Sequence, residues 1–161
     1  MVVGGIYNTG SEHITKLYVE TEPSDRFVRL NCYFDGTLKI NWGDWKTESY
    51  ESSSTIEITH TYNDDWKYTV TLDLSDVKYM HFGYYSAGDA FANGPITGIA
   101  FGDDVPEKTN NFSWDCIFGI PWPDHKIKFI ALPNTTRYIE IGYDTYPLEY
   151  YAIPKKAYTD L

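Results

Sequence analysis

Four histidines, two cysteines and 23 acidic residues are the groups in this chain that could move protons, attack an electrophile or hold a metal. His60 lies close to Asp64 in sequence, as an acid/base pair in a turn would require. The same histidine belongs to an alternating run, Ile58-Thr59-His60-Thr61-Tyr62, where a strand position accounts for it without catalysis. His13, His81 and His125 are far apart and lack the i, i+4 spacing that puts two imidazoles on one helix face for zinc. A nucleophilic Ser or Cys needs a positioned base, and no G-x-S-x-G elbow is present. Glycoside hydrolysis needs two carboxylates held at a fixed separation, and among 23 acids no pair singles itself out. Asp64-Asp65 and Asp103-Asp104 offer hard oxygen ligands for calcium, against the simpler reading of solvated turn acids without the spaced D-x-D-x-D pattern. The expectation is a chain that is not an enzyme and carries neither metal nor cofactor.

The aromatic residues point to a surface instead. There are 15 Tyr and 5 Trp, and aromatics make up 17% of the chain, more than a small core needs. Trp45, Trp66, Trp114 and Trp122 are the candidate ligand contacts, because an amphipathic ring gives contact area at low entropic cost. The net charge of −10 repels phosphate backbones and anionic membranes, so nucleic-acid binding is excluded as an expectation. Cys32 and Cys116 show no C-x-x-C spacing and are expected to be two buried thiols. Met1 is followed by Val-Val-Gly-Gly-Ile-Tyr, and no later apolar run approaches a membrane span, so neither a signal peptide nor membrane insertion is expected.

Short strands must position these groups. Residues 13–20 alternate, and Glu22-Pro23-Ser24-Asp25 supplies a turn after them. From Arg26 to Phe34 the alternation puts Val28, Leu30, Cys32 and Phe34 on a core face, opposite Phe27, Arg29, Asn31 and Tyr33. Asp35-Gly36 is a hairpin signal, which makes Leu38–Trp42 the antiparallel neighbour of that strand.

The next stretch carries a resemblance. Ile40-Asn41-Trp42-Gly43-Asp44-Trp45, a polar loop from Lys46 to Ser54, Ile58-Thr59-His60-Thr61-Tyr62, and Trp66-Lys67-Tyr68-Thr69-Val70-Thr71-Leu72 follow one another in order. This series resembles the PKD-type immunoglobulin-like domain, which reads "WGDG", a variable loop, "HTY", a turn and "YTVTL". The resemblance covers about residues 13 to 75 and implies a β-sandwich of two antiparallel sheets. Gly43-Asp44 fits a tight turn whose carboxylate accepts backbone N–H groups, and Tyr62 a strand corner. Trp45 stands where the family has Gly, and Trp66 stands close to another usual Gly. Rings at those turns either contact a ligand or cover the ends of the sandwich.

A seven-residue phrase recurs in the second half: Val77–Gly83, Ile96–Gly102, Ile127–Pro133 and Leu148–Pro154. Each places large apolar groups at its first, fourth and sixth positions and ends in Gly or Pro, with starts 19, 31 and 21 residues apart. Self-similar units of this size are too small to bury their own apolar faces and stack to share a core. The form, with Leu132-Pro133-Asn134 and Ile153-Pro154-Lys155 at the juncture, resembles BspA-like leucine-rich repeats over about residues 77 to 161. The family's intervening helix is matched only in Asp89-Ala90-Phe91 and Trp114-Asp115-Cys116-Ile117-Phe118. The long second interval places an insertion at Asp103 to Lys126, rich in Asp, Asn, Trp and Pro.

The expected architecture is therefore all-β: a PKD-like sandwich over residues 1–76, rigidly joined to a leucine-rich-type solenoid of about four short repeats over residues 77–161. Tyr150, Tyr151 and Ile153 are the candidate assembly edge, where an unpaired last strand would meet a protein partner or a second copy unless the tail from Lys155 to Leu161 folds over it. What the two resemblances imply is a non-enzymatic module for display or adhesion. Its expected setting is a bacteriophage virion, as a capsid- or tail-decorating protein assembled in the host cytoplasm. The alternatives are a segment of a bacterial cell-surface adhesin, or a carbohydrate-binding module in which the four tryptophans meet a surface glycan.

Overall fold

The structure, a computed structural model, describes residues 14–82, 94–105, 126 and 128 and the strand segments 111–113, 129–131, 138–140 and 150–152. Nine strands are described: β1 (Thr15–Glu20), β2 (Phe27–Asn41), β3 (Thr47–Thr61), β4 (Lys67–Phe82), β5 (Ile96–Ala100), β6 (Asn111–Ser113), β7 (Phe129–Ala131), β8 (Tyr138–Glu140) and β9 (Tyr150–Ala152). Among the described residues there is no helix. Seven strands form one sheet in the order β3-β2-β4-β1-β5-β7-β9, and β6 and β8 form a second. Pairing is antiparallel from β3 to β5 and parallel from β5 through β7 to β9.

β1 follows its alternation: Thr15, Leu17 and Val19 are buried while Lys16, Tyr18 and Glu20 are not. It lies between β4 and β5, so both of its edges are hydrogen bonded. On β2 the expected core face is buried, with Val28, Leu30, Cys32 and Phe34 each at most 4% exposed. Asp35-Gly36 does not make the expected hairpin. β2 continues through it to Asn41, and Leu38 and Ile40 continue the buried face. Gly36 instead marks a bulge at which β4 approaches closely: φ is 128° and an added Cβ would lie 2.2 Å from the Asp76 carbonyl oxygen. The expected polar loop from Lys46 to Ser54 is also a correction, because Thr47 onward is strand. β3 is an edge held by backbone pairing with β2 along its whole length, so its first half needs little apolar burial of its own.

The β2–β3 ladder pairs Phe27 with Thr61 at one end and Asn41 with Thr47 at the other. A straight ladder of that length would span about 50 Å at ~3.3 Å per residue. Yet His60 Nε2 lies 2.9 Å from Asp44 Oδ2, and the Tyr62 hydroxyl donates to the Trp42 carbonyl at 2.9 Å. The ribbon is thus folded over on itself, with its two ends in contact. Two register shifts between β2 and β4, at Asp35/Gly36 and Thr37/Lys39, lie where the fold must occur. Each gives β4 an extra residue, which bends the strand and switches the parity of its inward side chains. Accordingly the buried set on β4 runs Val70, Leu72, Leu74, then Val77, then Met80.

That parity switch explains the first of the four sequence phrases. Val77 and Met80 share a face because of a bulge, and Val77–Phe82 belongs to the antiparallel part of the sheet, where it pairs with Cys32–Gly36 of β2. The other three phrases stack in parallel with matching positions opposite one another: Gly98, Phe129 and Tyr150; Ile99, Ile130 and Tyr151; Ala100, Ala131 and Ala152. β6 and β8, which alternate with them along the chain, pair in parallel in the second sheet. Leu74-Ser75-Asp76, the expected join between the two parts, lies inside β4. The core runs without interruption from Val28 and Phe34 through Leu17 and Leu72 to Ile99 and Phe101.

A carboxylate ties this junction together. Asp104 Oδ2 accepts the Leu74 N–H at 3.0 Å, and Oδ1 accepts the hydroxyl of fully buried Thr15 at 3.2 Å, whose oxygen in turn accepts the Gly102 N–H. Asp104 is thus no solvated turn acid. Burial pushes its carboxyl above the usual range, more than these hydrogen bonds lower it. A folded-state pKa above the unfolded one contributes stability that is complete below the unfolded value and is lost as pH rises through the folded value. Urea unfolding of Asp104→Asn against wild type should therefore give parallel stabilities at low pH, with the variant gaining as pH rises through the raised pKa. A constant difference across pH would overturn this assignment. Cys32 is a buried free thiol, pushed up to about 12 by burial, and so is chemically inert. Cys116 lies outside the described residues.

Candidate functional site

The turn joining β2 to β3 is built from Trp42 to Lys46. Its frame closes through the Trp42 N–H on the Lys46 carbonyl at 3.0 Å and the Gly43 N–H on Asn41 Oδ1 at 2.9 Å. Gly43 sits at φ 80°, and a Cβ there would stand 2.7 Å from the Thr69 carbonyl oxygen, so only glycine lets the turn lie against β4. Asp44 points inward: Oδ1 accepts the Lys46 N–H at 3.2 Å, and Oδ2 accepts from His60 Nε2 at 2.9 Å. An ionised carboxylate only accepts, so this His nitrogen carries the proton. Burial alone would raise the Asp44 carboxyl, but the bonds from His60 and Lys46 outweigh it and hold the group below the usual carboxylate range.

Below the turn stands a column of rings. Trp42 and His60 stack at 4.4 Å and 8°, His60 meets Tyr62 edge to face at 4.6 Å, and Tyr62 stacks on Tyr68 at 4.1 Å. Trp42 is fully buried and donates its Nε1–H to Glu48 Oε2 at 2.7 Å, an oxygen that also accepts the Tyr50 hydroxyl at 2.6 Å. Those two bonds hold the Glu48 carboxyl low, while burial and Glu48 push the Tyr50 phenol up to about 12. Asp44, His60 and Tyr62 are engaged in holding the two ends of the ribbon together, while Glu48 and Tyr50 brace Trp42 from its own end. His60 pairs with Asp44, across the folded ribbon, and not with its sequence neighbour Asp64.

Trp45 is the residue that this scaffold presents. It is 102% exposed and adopts φ 72°, the only non-glycine at positive φ among the described residues. A left-handed backbone costs an L-residue about 1–2 kcal/mol, and the ring recovers none of this by packing, so it covers no end of the fold. Trp66, 70% exposed, sits in the β3–β4 turn, and its own backbone is tied to Thr21 by three hydrogen bonds. The two turns lie at one end of the fold because Gly43 touches Thr69 and Tyr62 reaches Trp42. Trp114 and Trp122 lie outside the described residues. Tyr150 and Tyr151 are on β9, the last strand in the sheet order, and Ile153 lies outside the described residues.

At the first of the two acidic pairs weighed for calcium, Asp65 is held by Arg26 Nε at 2.6 Å, and the Asp64 carbonyl accepts the hydroxyls of Thr21 and Tyr68. No group of three or more His, Cys, Asp or Glu able to hold a metal ion occurs among the described residues. The pairing of His60 with Asp44 was not expected from sequence, although His60 and Tyr62 sharing a face was a usable signal.

Since the Trp45 ring makes no packing contact, Trp45→Gly should stabilise the chain. Relief of the left-handed strain exceeds the extra freedom glycine gives the unfolded state, for a net gain of up to about 1 kcal/mol. Thermal unfolding should show a rise of roughly 2–4 °C for each kcal/mol gained. A lower midpoint would mean that the ring packs on something.

Searches against protein families, curated proteins and solved structures gave no match to this chain.

Proposed function

We propose that this chain is a non-enzymatic binding module that uses the β2–β3 turn, with Trp45 at its tip, as its contact element. The observation that carries the reading is the combination at Trp45: a bulky ring, wholly in solvent, on a strained backbone position in a turn closed by hydrogen bonds on either side of it. A chain that spends stability to hold an indole in water gains something from presenting it. The engagement of Asp44, Glu48, His60 and Tyr62 in structural bonds supports a scaffold role for them over a chemical one.

In this reading residues 14–82 form a PKD-like sandwich, supported by the folded β2–β3 ribbon and by the Trp42, Asp44, His60 and Tyr62 column built from the motif residues. The parallel, in-phase stacking of three phrases supports a leucine-rich-type solenoid that starts at β5. The setting is a bacteriophage particle, where such a module decorates the capsid or tail and adds contacts to the host surface. Particles purified from the source strain should contain the chain by mass spectrometry. Particles carrying Trp45→Ala should keep the same protein content and adsorb to host cells several-fold more slowly. Absence of the chain from particles would overturn the virion setting, and unchanged adsorption would overturn the contact reading.

A further inference from the structure

The surroundings of Trp45 narrow what it meets. An aromatic anchor in a protein interface sits among other apolar groups that exclude water around it. Here the ring stands alone in a polar collar: Asn41, Thr47 and Thr69, on the strands that flank the turn, are all exposed. The charges of the turn, Asp44 and Lys46, lie 3.7 Å apart, and the carboxylate of Glu48, next along β3, is taken up by Trp42 Nε1–H and the Tyr50 hydroxyl. A cationic ligand would want an unpaired carboxylate beside the ring, and a polyanion is opposed by the net charge of −10. A flat apolar face ringed by neutral hydroxyl and amide groups suits a ligand with an apolar face of its own and a rim of uncharged hydroxyls.

We infer that the β2–β3 turn is a platform for a neutral saccharide. Trp45 stacks on the C–H face of one pyranose ring, and Asn41, Thr47 and Thr69 serve its hydroxyls. Asp44 and His60, 2.9 Å apart, belong to the frame of the turn and are not ligand contacts in this assignment. Trp66 is the second platform. Its Cα lies within about 25 Å of that of Trp45, given contact between residues 43 and 69 and ~3.8 Å per intervening residue. One oligosaccharide can span that distance. The inference rests on the contact reading of the turn and adds the ligand class.

The test is affinity electrophoresis of the full chain in gels containing hydroxyethyl cellulose, mannan or glycol chitin as neutral polymers, with polygalacturonate as the anionic control. At least one neutral polymer should retard the wild type, and polygalacturonate should not. Trp45→Ala should weaken that retardation at least ten-fold, Trp45→Phe less, and Trp66→Ala by an intermediate amount. The same polymer should shield wild-type fluorescence from acrylamide, and this shielding should be lost in Trp45→Ala. No retardation by any neutral polymer, retention by polygalacturonate, or unchanged binding by Trp45→Ala would each overturn the saccharide assignment. If Trp45→Ala particles still adsorb slowly while no polymer binds, the contact reading stands and the ligand class falls. If neither responds, both fall.

Discussion

Trp42→Ala should lower stability to urea by about 3–5 kcal/mol, the cost of deleting a fully buried large aromatic. The ring does more than fill volume. It stacks on His60 from the far end of the folded ribbon and donates to Glu48, so its loss opens a void between the two ends of the ribbon and removes one of the two donors that hold the Glu48 carboxyl low. Trp42→Phe keeps most of the stack and loses the Nε1–H bond, so it should cost roughly 1–3 kcal/mol. Equal losses for the two variants would mean that the hydrogen bond, and not the stack, holds the ends together.

Gly36→Ala should be nearly as damaging, by at least about 2 kcal/mol, although it adds a single methyl group. The added carbon would lie 2.2 Å from the Asp76 carbonyl oxygen, a backbone atom that moves only if β2 and β4 part where the sheet is folded. A glycine in an exposed hairpin turn would tolerate the change far better. Urea unfolding of Gly36→Ala thus discriminates a turn from a bulge, and a loss of a few tenths of a kcal/mol would favour the turn.

That contrast shows where the fold was legible in the chain. β1 and the first half of β2 could be read because each alternates against a buried face: Leu17 and Val19, then Val28 to Phe34. Asp35-Gly36 misled because the dipeptide serves turns and bulges alike. The deciding signal was parity: a two-residue hairpin would move the inward face to odd positions, whereas Leu38 and Ile40 keep it on even ones. Thr47–Ser54 misled because an edge strand paired along its whole backbone can be polar on both faces. The Asp44–His60 contact was hidden for a deeper reason. It depends on where β4 inserts its two extra residues, a non-local property of register that no window of sequence contains. Of the candidate site, the identity of Trp45 was legible from a ring at a turn where glycine is usual, but its full exposure and backbone conformation were not.

The place of β1 at the centre of the sheet also sets a timetable for synthesis. Lys16 finds its partners at Thr71 and Ala100, so this strand leaves the ribosome well before either neighbour exists. At about 5–20 residues per second it waits roughly 4–16 s for β5 with one edge or both unpaired. During that interval an alternating apolar strand is open to pairing with any other nascent chain. Recombinant yield should therefore depend on translation rate and on chaperones that hold extended apolar segments more than the stability of the finished protein would imply.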